Sequence, residues 1–205
     1  MTRSILAALA AAVAVTVLSG TGCNSTGVGD PCVPEQEYDP TFLGFNVQEV
    51  NVESKSFQCQ TRLCLVNHFQ GLVSCPYGQD QMGNPLPGAK TACQTPGIQQ
   101  KVTGNPADPK TGATVQPECA DRTADKAVYC SCRCANVDGQ TNDGANYCTC
   151  PDGFKCTPLV SSIGAADQGL TGSYCIKTGT DYNANTSCGS QCEPSAKNCG
   201  NTQLQ

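Results

Sequence analysis

Tryptophan is absent from this sequence, histidine occurs once, and no apolar run beyond residue 18 approaches the length of a membrane span. Each absence removes a class of function. With His68 as the sole imidazole, a His-Glu-x-x-His zinc helix and most hydrolase or metal-enzyme arrangements are excluded. Neither a Gly-x-Ser-x-Gly elbow nor a phosphate-cradling Gly loop occurs. Carboxylate or lysine chemistry needs no histidine, and Glu49, Glu53 and Lys55, beside apolar residues, are the candidates for a hydrolase of that kind. Cys-x-x-Cys is missing too, which excludes a thioredoxin-like redox pair and a c-type haem attachment. The 12 basic residues, against 17 acidic ones, are scattered singly. The chain therefore carries no footprint for nucleic acid and no polybasic patch for anionic lipid. His68, in Asn67-His68-Phe69, reads as a hydrogen-bonded side chain on a half-buried strand, with a general base as its functional alternative.

Core-forming residues are scarce as well. From Cys23 to Gln205, 28 of 183 residues are Leu, Ile, Val or Phe, below the usual level of globular domains. Ordering each residue costs about 1–2 kcal/mol, which so small an apolar content does not offset alone. What the chain has instead is 17 cysteines. Cytosolic thiols stay reduced, so cysteine at this density marks an exported chain stapled by disulfides, each contributing about 2–4 kcal/mol.

The first residues agree with export. Met1-Thr2-Arg3 supplies one positive charge, Ile5 to Leu18 is an almost unbroken apolar run, and Ser19-Gly20-Thr21-Gly22 is small. This is the order of a secretory signal, expected over 1–22, and the run falls short of the ~20 residues a spanning helix needs. Cys23-Asn24-Ser25-Thr26-Gly27 follows. The stretch resembles the lipobox of bacterial lipoproteins, whose cysteine becomes the mature N-terminus and carries the lipid. The family's leucine three residues before the cysteine is Gly20 here, with Leu18 nearby. The resemblance implies lipid attachment at Cys23, contact with a membrane through acyl chains at about 0.8 kcal/mol per buried methylene, and, with Asn24 rather than Asp next, the outer membrane. Plain secretion, with Cys23 in a disulfide, is the alternative. Setting Cys23 aside leaves an even number that can pair completely: Cys32, Cys59, Cys64, Cys75, Cys93, Cys119, Cys130, Cys132, Cys134, Cys148, Cys150, Cys156, Cys175, Cys188, Cys192 and Cys199.

Along the body, residues 23–31 read as a flexible tether and 32–75 as a β-rich apolar lobe. Within that lobe Phe45/Val47 and Val50/Val52 alternate as half-buried strands, and Thr61 to Val73 reads as a strand pair turning near Gln70-Gly71. Residues 76–118, rich in Pro and Gly, read as a mobile linker or surface loop. Residues 119–199 form a cysteine-dense β lobe, and 200–205 a frayed tail. Cys130, Cys132 and Cys134, spaced by two, would share one face of a strand, in a hairpin with Tyr147-Cys148-Thr149-Cys150. The fold expected is small, β-rich, irregular and disulfide-stapled, with little helix outside the signal peptide.

Two metal readings attach to the third stretch. Dense Cys-x-Cys can hold Zn or Cu(I) through thiolates, although export favours their oxidation to disulfides. The loop 136–144 offers Asn136, Asp138, Asn142 and Asp143 as calcium ligands. It lacks the Gly and the terminal Glu of an EF-hand loop, and a turn-rich hairpin tip accounts for the same residues. No cofactor is expected. Cys148-Thr149-Cys150-Pro151-Asp152-Gly153-Phe154-Lys155-Cys156 resembles the C-terminal half of an EGF module, except that Cys156 follows the aromatic too soon. Taken whole, the lipobox-like start, the Gly/Asp-Pro tether and the cysteine-dense body resemble the cysteine-rich cell-envelope lipoproteins of myxobacteria. That resemblance implies a structural or binding component of the envelope with an envelope protein as partner, and supplies no catalytic residue.

Overall fold

Four successive residues, Cys64–Asn67, are buried on both faces of the chain, which only the centre of a sheet provides. They form strand β2, flanked antiparallel by β1 (Val50–Glu53) and β3 (Val128–Cys130). The computed structural model describes residues 27–105, 107, 112–160 and 170–200, so the signal segment, Cys23 and the tail from residue 201 lie outside the described residues. A second antiparallel sheet has the order β4 (Arg133–Ala135), β6 (Gly172–Lys177), β5 (Phe154–Val160). Among the described residues the helical elements are one α-turn, α1 (Ala124–Ala127), and the 3-10 turns Glu35–Tyr38 and Pro194–Ala196. The fold is small, irregular and β-rich, as its composition required.

The period of two along a strand sorts the core. Cys64, Val66, Val128 and Cys130 face one way, onto Phe45, Phe69, Val73 and α1. Leu65 and Tyr129 face the other way, onto Tyr174 and Ile176 of β6 and Val160 of β5. The two sheets therefore share one apolar layer. The chain passes from one sheet to the other at Ser131, whose N–H donates to Leu63 O (3.0 Å) and whose hydroxyl donates to Cys175 O (2.8 Å).

Among the described residues eight disulfides staple strands to loops and loops to one another: Cys32–Cys64, Cys59–Cys130, Cys75–Cys93, Cys119–Cys188, Cys132–Cys148, Cys134–Cys156, Cys150–Cys175 and Cys192–Cys199, with Cys134–Cys156 joining β4 to β5. So extensive a framework belongs to an oxidising, extracytoplasmic compartment. Among the described residues no helix is long and apolar enough to cross a membrane.

Several local expectations change. The run Cys130-Ser131-Cys132-Arg133-Cys134 is not one strand, because the change of sheet at Ser131 sends Cys130 to Cys59 in one sheet and Cys132 and Cys134 to Cys148 and Cys156 in the other. Its partner in the expected hairpin, Tyr147–Cys150, forms no strand. The region from Thr61 to Val73 does not fold on itself. His68 enters the left-handed region at φ 53° and ends β2, and Gly71 turns to pair with Phe45 (N···O 2.9 and 3.0 Å). Glycine is required there, since a Cβ would stand 2.3 Å from Gln116 O. Part of the expected tether is docked: Gly29 N–H donates to Cys130 O and Cys130 N–H to Asp30 O, each at 2.8 Å.

Candidate functional site

The cysteine-dense stretch builds a compact sulfur cluster. Cys132, Cys134 and Cys175 are buried together, with Val28, Cys148, Cys150 and Phe154 packed around them. Cys175 Sγ lies 3.7 Å from the Sγ of both Cys132 and Cys148, although its own bond is to Cys150. Among the described residues three sets of cysteine sulfurs fall within 4.8 Å of one another: Cys32/Cys59/Cys130, Cys132/Cys148/Cys175 and Cys134/Cys150/Cys156. Each arises where two disulfides pass close by. A disulfide sulfur carries no thiolate charge, so ligation of a soft metal there first requires reduction. In the oxidised molecule the cluster is covalent core.

At the 136–144 tip, Asn136 Oδ1 accepts the N–H groups of Asp138 (3.0 Å) and Gln140 (2.8 Å). Asp143 Oδ1 accepts from Ala145 N–H (3.1 Å), and its Oδ2 accepts from Tyr147 O–H (2.7 Å) and Asn136 Nδ2 (3.1 Å). These bonds hold the Asp143 carboxyl below the usual carboxylate range, the Tyr147 bond most. The structure thus brings Asn136 and Asp143 together as a hydrogen-bonded turn whose oxygens already face donors.

The acid and amine candidates separate. Glu49 and Lys55 are exposed, whereas Glu53 lines a cleft of about 470 Å³ along the free edge of β1, with Val50, Val52 and Leu170. Its companion there is Glu35, which sequence spacing did not single out and whose backbone N–H donates to Glu53 Oε2 (3.1 Å). Partial burial raises the Glu53 carboxyl, against that bond.

His68 lies one residue past β2. Its ring stacks on Tyr182, with centroids 4.0 Å apart, and its Nδ1 lies 2.9 Å from Val47 O. Burial lowers its pKa, the Val47 carbonyl opposes this, and the Arg122 guanidinium lowers it further. The ring is hydrogen-bonded and half-buried as expected, but it stacks just past the end of β2 rather than lying on the strand. Arg122 is 1% exposed; it donates through Nε to His68 O (3.0 Å), through Nη1 to Thr180 O and through Nη2 to Asn67 O. Gln48 Nε2 donates to Tyr182 O–H (2.8 Å) and completes the joint between β2 and the 180–182 segment. These residues position backbone.

Two buried acids complete the picture. Glu37 accepts from Val73 N, Ser74 N and Ser74 Oγ, yet burial pushes its carboxyl up to about 7. Glu118, fully buried, accepts from Gly200 N (2.9 Å), and burial pushes it up to about 9. No sequence signal marked either one. Comparison with known protein families, with characterised proteins and with solved structures found no match.

Proposed function

We propose that this protein is a lipid-anchored binding or structural component of the bacterial envelope, held to the outer membrane by acyl chains on Cys23. The observation that carries this reading is the cysteine count. Seventeen cysteines less the sixteen bound in eight disulfides leave Cys23 with no partner in the same chain. An odd cysteine in an exported chain calls for a role outside the chain's own disulfides, and the lipobox-like context around Cys23 supports acylation as that role. The charge balance supports the same reading. Without residues 1–22 the chain has 11 basic and 17 acidic side chains, so acyl chains rather than basic residues would hold it at an anionic surface. A disulfide scaffold fixes loops with little core, which suits recognition of an envelope partner.

Intact mass of the membrane-extracted protein tests this, with thiol alkylation before and after reduction. The expected result is a chain starting at Cys23 with acyl mass, unalkylated until reduction and then alkylated at the sixteen disulfide cysteines. An unacylated chain that gains a seventeenth alkyl group at Cys23 overturns the anchor.

A further inference from the structure

Among four surface clefts formed by described residues, one differs in charge. The others hold Glu35 and Glu53, Glu193, or Asp125 and Lys177. The fourth, about 780 Å³, is lined by no charged side chain, on a chain of net charge −5. Its polar lining residues are Gln58, Ser74, Thr91, Gln94, Thr95 and Gln99, and Tyr38 lines it as well.

Two of these side chains, Gln58 and Ser74, are pre-set. The Gln58 amide is fixed by Val33, whose N–H donates to Oε1 (3.0 Å) and whose carbonyl accepts from Nε2 (2.7 Å); one amide hydrogen is left over. Ser74 Oγ donates to Glu37 (2.7 Å) and keeps its lone pairs as acceptors. The Cys75–Cys93 disulfide ties the walls. Thr95 N–H to Gln100 O (2.8 Å) and Gln100 N–H to Thr95 Oγ1 (3.0 Å) pin the turn that carries Gln99. Thr91, Gln94 and Gln99 are exposed and spend no side-chain hydrogen bond on another described residue. Apolar surface adjoins them in the chain: Tyr38, on the lining, is 46% exposed, and Ile98, between the lining residues Gly97 and Gln99, is 76% exposed.

A charged ligand would lose its water here and meet no opposite charge, and a wholly apolar one would strand the amides. The lining suits a molecule that is uncharged, carries many groups acting as both donor and acceptor, and offers C–H faces to a ring. We propose that this cleft binds a neutral oligosaccharide, seated on Tyr38 and hydrogen-bonded by Gln58, Gln94 and Gln99. The proposal names a ligand class for the binding role proposed above, and it rests on the cleft rather than on the anchor.

Calorimetric titration of the full-length, detergent-extracted, disulfide-intact protein tests it, with chitohexaose, cellohexaose and the acidic hexagalacturonate as probes. Saturable binding of at least one neutral chain is expected, with hexagalacturonate weaker by roughly tenfold or more. Preference for chitohexaose would point to an N-acetylhexosamine wall polymer, and preference for cellohexaose to a plain hexose polymer; either supports the site. Gln94→Ala, at an exposed and unbonded side chain, and Tyr38→Ala should each weaken binding by roughly tenfold, about the worth of one good contact. Glu53→Gln, in the neighbouring cleft, should leave it unchanged. Failure of both neutral chains to bind a protein with its disulfides intact by mass overturns the proposal, as does binding that both cleft variants leave untouched or that hexagalacturonate matches. Loss of the anchor would appear in the mass of the extracted protein and leave these titrations unaltered.

Discussion

Glu37 ends its side chain against the backbone of Val73 and Ser74, 1% exposed, with three donors on its two oxygens. Those donors favour the ionised form, but burial outweighs them and the folded pKa stands at about 7, above the ordinary 4.5. Glu118 stands at about 9 for the same reason, with Asp125 and Glu37 adding repulsion. In the unfolded chain both carboxyls titrate near the ordinary value. As pH rises from about 4.5, the unfolded state releases protons that the folded state retains, so stability falls. Both groups contribute to that fall up to about 7, and Glu118 alone from there to about 9. Urea midpoints are therefore expected to be highest near pH 5 and to decline towards pH 9. Glu37→Gln should shrink the decline below pH 7 to the share that Glu118 contributes and keep the decline above it; an unchanged profile would show that Glu37 titrates normally. Arg122 is a second single-residue keystone. Its guanidinium serves three carbonyls, the Asn67 one buried and the His68 and Thr180 ones partly buried, and removing it leaves them unpaired at about 1–3 kcal/mol for a buried group and less for a partly buried one. Arg122→Leu should cost about 3 kcal/mol or more, and Arg122→Lys should restore little, since an ammonium lacks the planar fork. Paired denaturation curves decide this. Neither role was legible in the sequence, where Arg122 is one of many isolated basic residues and the two acids carry no motif.

At the scale of elements, alternation identified Val50/Val52 because β1 is an edge strand with one face on the core. It failed for β6, whose residues are buried from Gly172 to Ile176 and so show no period of two. It failed for β5 because Pro158 interrupts the pattern; the proline is tolerated on this edge strand beside a register shift between Pro158 and Val160. The Pro-rich stretch after Cys75 is irregular, as its prolines require, but it closes around Gln79. That side chain, 0% exposed, donates to Val102 O (2.9 Å) and Ala113 O (2.7 Å) and accepts from Cys93 N–H (3.0 Å). Its backbone exchanges hydrogen bonds with Val115 (3.0 and 3.1 Å). A glutamine acting as a core post has no signature, since its neighbours are set only once the loop has closed. Gln79→Leu should cost about 3 kcal/mol through three unpaired backbone groups. Amide exchange should quicken at Cys93 and Val115 while β2 and β6 stay protected; uniform quickening would mean that Gln79 supports the whole molecule instead.

For the whole molecule, the cysteine count announced the covalent framework, and its pairing emerged only with the path of the chain between the sheets. The disulfides differ widely in the length of chain they close. Cys59–Cys130 spans 71 residues and joins the Cys59 turn to β3, whereas Cys192–Cys199 spans 7 near the end of the described chain. If a crosslink acts chiefly by restricting the unfolded state, the longer loop is worth about 4 kcal/mol and the shorter about 2.5 kcal/mol. Geometry widens the gap. Cys59 and Cys130 are 2% and 0% exposed in the main core, so replacing them also removes packing beneath β2 and β3. With few apolar residues to hold the sheets together, a loss of this size is a large part of a typical folding stability of about 5–15 kcal/mol. Replacing Cys59 and Cys130 together by alanine should therefore give a chain that folds poorly or scrambles its remaining disulfides. The matching replacement of Cys192 and Cys199 should fold, with a urea midpoint lowered by the equivalent of about 2 kcal/mol. Disulfide mapping of both variants after oxidative refolding separates the outcomes. Native pairing in the first variant at near-normal stability would mean that the apolar layer between the sheets, despite its small size, specifies the fold without the longest staple.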